Sequence, residues 1–105
     1  MKIAVTSQNR KTVTKHAGTC RKFWIYTIVD QQITEQQLLE LPKEQSFHNS
    51  ETAGPLVEMI DVLLTGGMGE GLPRRLARSG ITALITDETD PTTAVNRYLE
   101  SQVAL

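Results

Sequence analysis

Apolar and polar positions alternate along the chain in two distinct patterns. Five short runs rich in β-branched, aliphatic or aromatic residues have the length of β-strands. Three other segments have the length and the apolar spacing of helices. The predicted strands cover residues 2–6, 22–29, 33–41, 61–65 and 81–86, and the predicted helices cover 51–60, 72–79 and 91–102. The predicted order is β-β-β-α-β-α-β-α, although Glu35 to Glu40 in the third strand is also compatible with a helix.

Several residues with special backbone preferences mark where these elements begin and end. Asp30 to Gln32 predicts a turn between the second and third strands. Pro55 suits the first position of a helix, and Gly80 suits the position just after one. Asp90 is placed to cap the last helix, which then begins at Pro91. The fourth and fifth strands are strongly apolar, and both are predicted to be buried.

The order of the elements predicts where a ligand would bind. If the first three strands pair antiparallel, and the helical crossovers make the last two strands parallel to the first, four loops emerge at one edge of the sheet. Open α/β sheets bind ligands in a crevice at the carboxyl ends of their strands, where the strand order switches. The four loops, which we expect to surround such a crevice, are 7–21, 42–51, 65–71 and 86–91.

Composition narrows the class of protein without identifying a function. The chain has 105 residues, 39% apolar and 22% charged, which fits one globular domain over residues 1–105. No apolar run approaches the length of a membrane span, and the amino-terminal residues predict a strand rather than a signal peptide. The single cysteine, Cys20, cannot form an intramolecular disulfide, so we expect a cytoplasmic protein. The composition therefore excludes membrane, disulfide-rich and disordered proteins.

Charge is unevenly distributed along the chain. The net charge is −1, yet residues 1–29 carry six basic residues and no acidic one. A local basic patch on a nearly neutral protein favours a small anionic ligand over a long nucleic acid, which usually meets a broad basic face. The alternative is that these side chains only keep a loop soluble. The basic residues assigned to the candidate site are Arg10, Lys11, Lys15 and Arg21.

A glycine-rich segment, residues 66–71, follows the fourth predicted strand and precedes a helix. Glycines let backbone amides approach an anion, so Gly66, Gly67 and Gly69 are candidate ligand contacts. The spacing matches neither the dinucleotide-binding fingerprint nor a P-loop. A tight turn with close backbone packing explains the segment equally well.

Three side chains in the predicted edge loops could bind a metal: His16, Cys20 and His48. Imidazole and thiolate suit soft or borderline metals and iron–sulfur species. One cysteine and two histidines do not complete a four-cysteine cluster site or a zinc motif. Such a set suits the transient holding of a preformed cluster, whereas a loop histidine and a part-buried cysteine are the ordinary alternatives.

Enzymatic alternatives find less support. Asp87, Glu88 and Asp90 could bind a hard cation, but a turn and a helix cap explain them as well. Glu70 could act as a general base, but an acidic residue in the first turn of a helix is common. A two-metal nuclease would need carboxylates at the strand ends, where the sequence places Thr6 and Thr65 instead.

Three blocks of the sequence, taken in their order and spacing, resemble the dinitrogenase iron-molybdenum cofactor biosynthesis family, to which NifX, NafY and the C-terminal domain of NifB belong. That family typically has a His-Phe-Gly segment followed by Phe-x-Val/Ile-Tyr. The likeness covers nearly the whole chain. The matching blocks are residues 1–8 with 16–26, residues 61–71 with Leu76 and 79–81, and residues 93–99.

The resemblance implies a ribonuclease-H-like, three-layer α/β fold with a five-stranded mixed sheet. It also implies a non-catalytic carrier for iron-molybdenum cofactor or an iron–sulfur precursor, with His16 as the favoured contact. Ala17 stands where the family usually has Phe. The implied partners are cluster donor or acceptor proteins, and binding to nucleic acid or to a membrane is not expected. The protein is expected to be a monomer or a homodimer. A regulatory or interaction module that binds a small anionic ligand in the same crevice is the alternative.

Overall fold

The computed structural model describes residues 1–47 and 56–103, and these residues form a mixed α/β structure. The strands are β1 (Lys2–Thr6), β2 (Lys22–Val29), β3 (Gln32–Glu40), β4 (Val62–Thr65) and β5 (Thr82–Ile85). The helices are α1 (Leu56–Met59), α2 (Gly71–Ala77) and α3 (Pro91–Val103), and a short 3-10 helix covers Lys43–Gln45. The predicted order of strands and helices is confirmed.

The five strands form one sheet in the order β3-β2-β1-β4-β5. β1 pairs antiparallel with β2 and parallel with β4, so that Val5 lies opposite Trp24 on one side and Leu64 on the other. β2 and β3 pair antiparallel, and β4 and β5 pair parallel. This mixed pairing brings the ends of β1, β3, β4 and β5 and the start of β2 to one edge of the sheet, as predicted.

The side chains of the strands alternate between two hydrophobic layers. On one face, Ala4, Phe23 and Leu63 belong to a buried cluster that includes residues of α1 and α2. On the other face, Val5 and Tyr26 belong to a second cluster, which is closed by Ala94, Val95 and Leu99 of α3. Helices therefore cover both faces, and the three-layer ribonuclease-H-like arrangement follows.

The connections use the residues that the sequence indicated. Asp30 and Gln31 join β2 to β3 with φ of 53° and 64°, the conformation of a two-residue type I′ turn. Gly80 has φ of 78°, and its amide and that of Ile81 donate to the last turn of α2 in a Schellman arrangement. The Oδ2 of Asp90 accepts the Thr93 amide at 2.9 Å, as expected of a helix cap.

One prediction about burial is wrong. β5 was expected to be buried because residues 81–86 are apolar, yet it is an edge strand whose Leu84 and Ile85 side chains are 39% and 60% exposed. A cavity of about 200 Å³ between β5 and α3, lined by Leu84, Ile85, Ala94 and Tyr98, leaves the outer strand incompletely covered on that side, although α2 packs on β5 as well. Within residues 1–47 and 56–103, no helix is long and apolar enough to cross a membrane. Pro55 and the first half of the predicted helix 51–60 lie outside the described residues.

Candidate ligand-binding site

The loop between β1 and β2, residues 7–21, is bonded through its backbone to the glycine segment after β4. The Gly66 amide donates to the Thr14 carbonyl at 2.9 Å, and the Ala17 amide donates to the Gly67 carbonyl at 3.0 Å. Two segments that are about fifty residues apart in sequence therefore form one surface at the edge of the sheet. His16 and Gly67 lie on the same side of the molecule, as their predicted placement required.

Close backbone packing explains why glycines occupy positions 66 and 67. A Cβ atom on Gly66 would lie 3.1 Å from both the Thr14 carbonyl oxygen and the Lys15 Cα. A Cβ atom on Gly67 would collide with the Lys15 carbonyl oxygen. Both glycines thus serve the fit between the two loops, which is the alternative that the sequence left open for this segment.

Two buried threonines connect the strand ends beneath these loops. The Thr6 hydroxyl lies 2.9 Å from the Thr65 hydroxyl and 3.0 Å from the Thr14 carbonyl oxygen. The Thr65 hydroxyl also lies 3.1 Å from the Gly67 carbonyl oxygen. Because buried hydroxyls need hydrogen-bond partners, this network fixes both loops relative to β1 and β4.

His16 lies exposed at a cavity of about 510 Å³. The floor includes Ala17, which is fully buried, and part of the wall is Met68. The other lining residues are Lys15, Gly18, Thr19 and Gly69. An exposed imidazole at such a cavity has both ring nitrogens accessible in principle to a metal or a hydrogen-bonding ligand. We call this the His16 cavity.

Only one of the four predicted basic contacts lines this cavity, and that residue is Lys15. The Arg10 carbonyl accepts the indole N–H of Trp24, whose side chain packs with the α3-side cluster, across the sheet from Ala17. Lys11 follows in the same turn. Its amide donates to the Asn9 side chain. The structure therefore places Arg10 and Lys11 away from the His16 cavity, because the loop crosses the edge of the sheet between them and His16.

Arg21 is also directed elsewhere. Its Nε donates to the Leu41 carbonyl at 3.1 Å, and its guanidinium lies 3.9 Å from the Glu40 carboxylate. These contacts tie the start of β2 to the end of β3. Arg21 therefore stabilises the strand ends and does not line the His16 cavity.

Cys20 faces the hydrophobic core, contrary to its predicted role as a metal ligand. It is 2% exposed and belongs to the same buried cluster as Ala17 and Phe23. Its Sγ lies 3.1 Å from the Lys22 carbonyl oxygen, in hydrogen-bond geometry. Burial raises the pKa of the thiol, which disfavours the thiolate that would bind a metal.

The glycine amides differ in their availability. The Gly66 amide is already donated to Thr14, so its predicted role as a ligand contact is not met in this structure. The Gly67 amide makes a long bond, 3.4 Å, to the Thr65 hydroxyl. Gly69 is exposed at the mouth of the cavity, and it is the glycine of this set best placed to contact a ligand.

The described residues do not assemble a complete metal site. Across residues 1–47 and 56–103, no group of three or more His, Cys, Asp or Glu side chains is close enough to hold a metal ion. His48, the third predicted ligand, lies outside the described residues. A cluster bound here would consequently rely on few protein ligands and on contacts to its own surface.

Sequence reasoning missed a second cavity next to the first. It has a volume of about 620 Å³, shares Gly18 and Gly69 with the His16 cavity, and is lined by Phe47, by Arg74 and Arg75 of α2 and by Arg78 directly after that helix. The arginines directly after the glycine segment were a visible signal. Their convergence with Phe47 was not, because Phe47 reaches this point from a separate loop.

The model of the family described as dinitrogenase iron-molybdenum cofactor matches residues 1–101. The chain belongs to this family. The match spans β1 through nearly all of α3, and it confirms the resemblance seen in the three sequence blocks. No curated protein sequence matches the chain.

Solved structures share the fold. PH0822 superposes with a TM-score of 0.80 at 18% identity, over 96% of this chain and 90% of that one. A dinitrogenase candidate from Methanocaldococcus jannaschii gives 0.73 at 14% identity, over 97% and 90%. A NifB candidate from Thermotoga gives 0.72 at 12% identity, over 96% and 89%. At such identities the likeness establishes a common architecture and nothing about ligands.

Proposed function

We propose that this protein is a carrier that binds an anionic metal cluster, iron-molybdenum cofactor or an iron–sulfur precursor, during metallocluster biosynthesis. The observation that carries the proposal is the exposed His16 at a cavity built by two hydrogen-bonded loops, in a member of the iron-molybdenum cofactor family. The cluster is cargo that the protein receives and passes on. The proposal includes no catalytic step.

The chemistry of the cavity supports a single protein ligand combined with weaker contacts. A neutral imidazole nitrogen binds iron or a related metal directly. Lys15 is exposed beside His16 and adds a positive charge, which favours an anionic cluster over a neutral ligand. Met68 supplies a polarizable thioether surface, and Gly69 leaves room for close approach.

A site with few protein ligands suits a carrier better than it suits a protein that holds its cluster permanently. A resident iron–sulfur cluster is usually held by several cysteine thiolates, and this chain has a single cysteine. Here Cys20 is buried in the core, so a cluster at His16 remains open to another protein. We therefore propose cluster donor or acceptor proteins as partners and the cytoplasm as the location.

The ligand role of His16 is tested by anaerobic reconstitution. Wild-type protein and His16→Ala would be incubated with isolated iron-molybdenum cofactor or, separately, with iron and sulfide under reducing conditions. Metal content and absorption spectra would be measured after gel filtration. Loss of a direct ligand should lower cluster affinity by roughly tenfold or more, since even supporting residues around metal sites have effects of that size.

Thr19→Ala is the matched control, because Thr19 is exposed in the same cavity and offers no ligand for a soft metal. It should retain cluster like the wild type. Equal retention by wild type and His16→Ala would contradict the ligand role. Failure of the wild type to retain any cluster would contradict the carrier proposal itself and would favour the regulatory or interaction module instead.

A further inference from the structure

The second cavity concentrates positive charge in a small space. Arg74, in α2, and Arg78, directly after it, are one turn apart and both are exposed, while Arg75 lies half-buried between them in sequence. Within residues 1–47 and 56–103, no acidic side chain lies within 4 Å of these three guanidinium groups. Like charges on neighbouring turns of a helix repel one another, so the arrangement is more favourable with an anion present.

Arg75 is held in place by the core. Its Nη2 donates to the Phe47 carbonyl at 2.8 Å, and the Phe47 ring packs edge-to-face on Phe23 with centroids 6.0 Å apart. Its Nε is buried and has no hydrogen-bond partner among the described residues. Arg75 thus holds a fixed position beside the cavity, with its Nε out of reach of solvent.

The geometry points to a binding site for a small multivalent oxyanion, bearing carboxylate or phosphate groups, in this arginine cavity. Guanidinium groups match the planar or tetrahedral oxygens of such anions and form strong, charge-assisted hydrogen bonds with them. A volume of about 620 Å³ accommodates a ligand of that size.

This site deepens the proposed function, since the arginine cavity and the His16 cavity share Gly18 and Gly69. A cargo that carries an organic or inorganic oxyanion could thereby occupy both cavities at once. The arginine site does not need a metal, however, so it is testable on the protein alone.

The test measures the Tm and the binding isotherm of cluster-free protein with citrate and with pyrophosphate, at constant ionic strength in chloride. A ligand that binds the native state raises the Tm by mass action. Citrate alone would assign carboxylates to the site, pyrophosphate alone would assign phosphates, and either result supports the proposal. In Arg74→Gln/Arg78→Gln, the affinity should fall by about tenfold to a hundredfold, the effect expected for lost charge-assisted bonds.

Two controls separate this site from general charge and from the cluster site. Lys2→Gln/Arg97→Gln removes the same charge, at the start of β1 and on α3, and should bind the anion like the wild type. His16→Ala should also keep anion binding, even if it loses the cluster. Absence of any effect of both anions, or equal binding by Arg74→Gln/Arg78→Gln, would overturn the arginine site and leave the His16 proposal standing.

Discussion

At the scale of single residues, the contact between Gly67 and the Lys15 carbonyl sets the shape of the His16 cavity. Because a Cβ atom at position 67 would collide with that carbonyl, Gly67→Ala must push the two loops apart. We expect the free energy of unfolding to fall by about 1–3 kcal/mol, as for other overpacked sites. Urea unfolding followed by circular dichroism measures the change.

Gly69→Ala is the control for this prediction. A Cβ atom on Gly69 would meet nothing within 4 Å, so its stability should stay within about 0.5 kcal/mol of the wild type. If both alanine variants were equally stable, the close fit of the loops at Gly67 would be wrong.

The residues of the site were only partly predictable. The ends of parallel β1 and β4 must meet at one edge, so strand order alone predicts that loop 7–21, which contains His16, lies beside Gly67. Arg10 and Cys20 could not be placed in this way. The loop 7–21 has no hydrophobic period, so its sequence does not reveal where it crosses the edge of the sheet or which side chains turn inward.

At the scale of elements, the β2–β3 hairpin depends on two left-handed residues that have side chains. Asp30 and Gln31 both have positive φ, which costs an L-residue roughly 1–2 kcal/mol. Asn-Gly is the pair that type I′ turns prefer. The double change Asp30→Asn/Gln31→Gly should stabilise the protein by about 0.5–1 kcal/mol, once the added chain entropy of glycine is subtracted.

The gain is measured as a higher urea concentration at the midpoint of unfolding, with an unchanged dependence of the free energy of unfolding on urea. Gln37→Gly serves as the opposing control, because Gln37 lies within β3 opposite Ile25 and lacks a positive φ. It should lower stability. A loss of stability in the turn variant would contradict the type I′ conformation.

Strands and caps were predictable from local chemistry, whereas the exposure of β5 was not. Asp30 and Gly80 act through their own backbone conformation and Asp90 through a side-chain bond to an amide three residues on, so local sequence determines these element boundaries. Whether an apolar strand is central or at an edge depends on its neighbours in space. β5 has the composition of an inner strand and lies outermost, because the chain ends its last crossover there and α3 returns to cover β1.

At the scale of the whole molecule, β1 is the element on which both hydrophobic layers and both cavities depend. It pairs on each side, and its Ile3, Ala4 and Val5 side chains are fully buried between the two hydrophobic clusters. The Thr6 hydroxyl at its end then joins the network that fixes the edge loops. The positions of these loops are therefore coupled to the most protected strand.

This organisation predicts a gradient of amide hydrogen exchange. The amides of Ile3 to Val5 that pair with β2 and β4 should exchange only through global unfolding, since opening them exposes both cores. The amides of Thr82, in β5, and of Thr86, directly after it, are also hydrogen-bonded, to Asp61 and Thr65, but they lie on the outermost strand of the sheet and should exchange faster through local opening. Nuclear magnetic resonance exchange at neutral pH, over a range of low urea concentrations, distinguishes the two routes. Equal protection of β1 and β5, with the same dependence on urea, would contradict the gradient and would mean that β5 opens only when the whole sheet does.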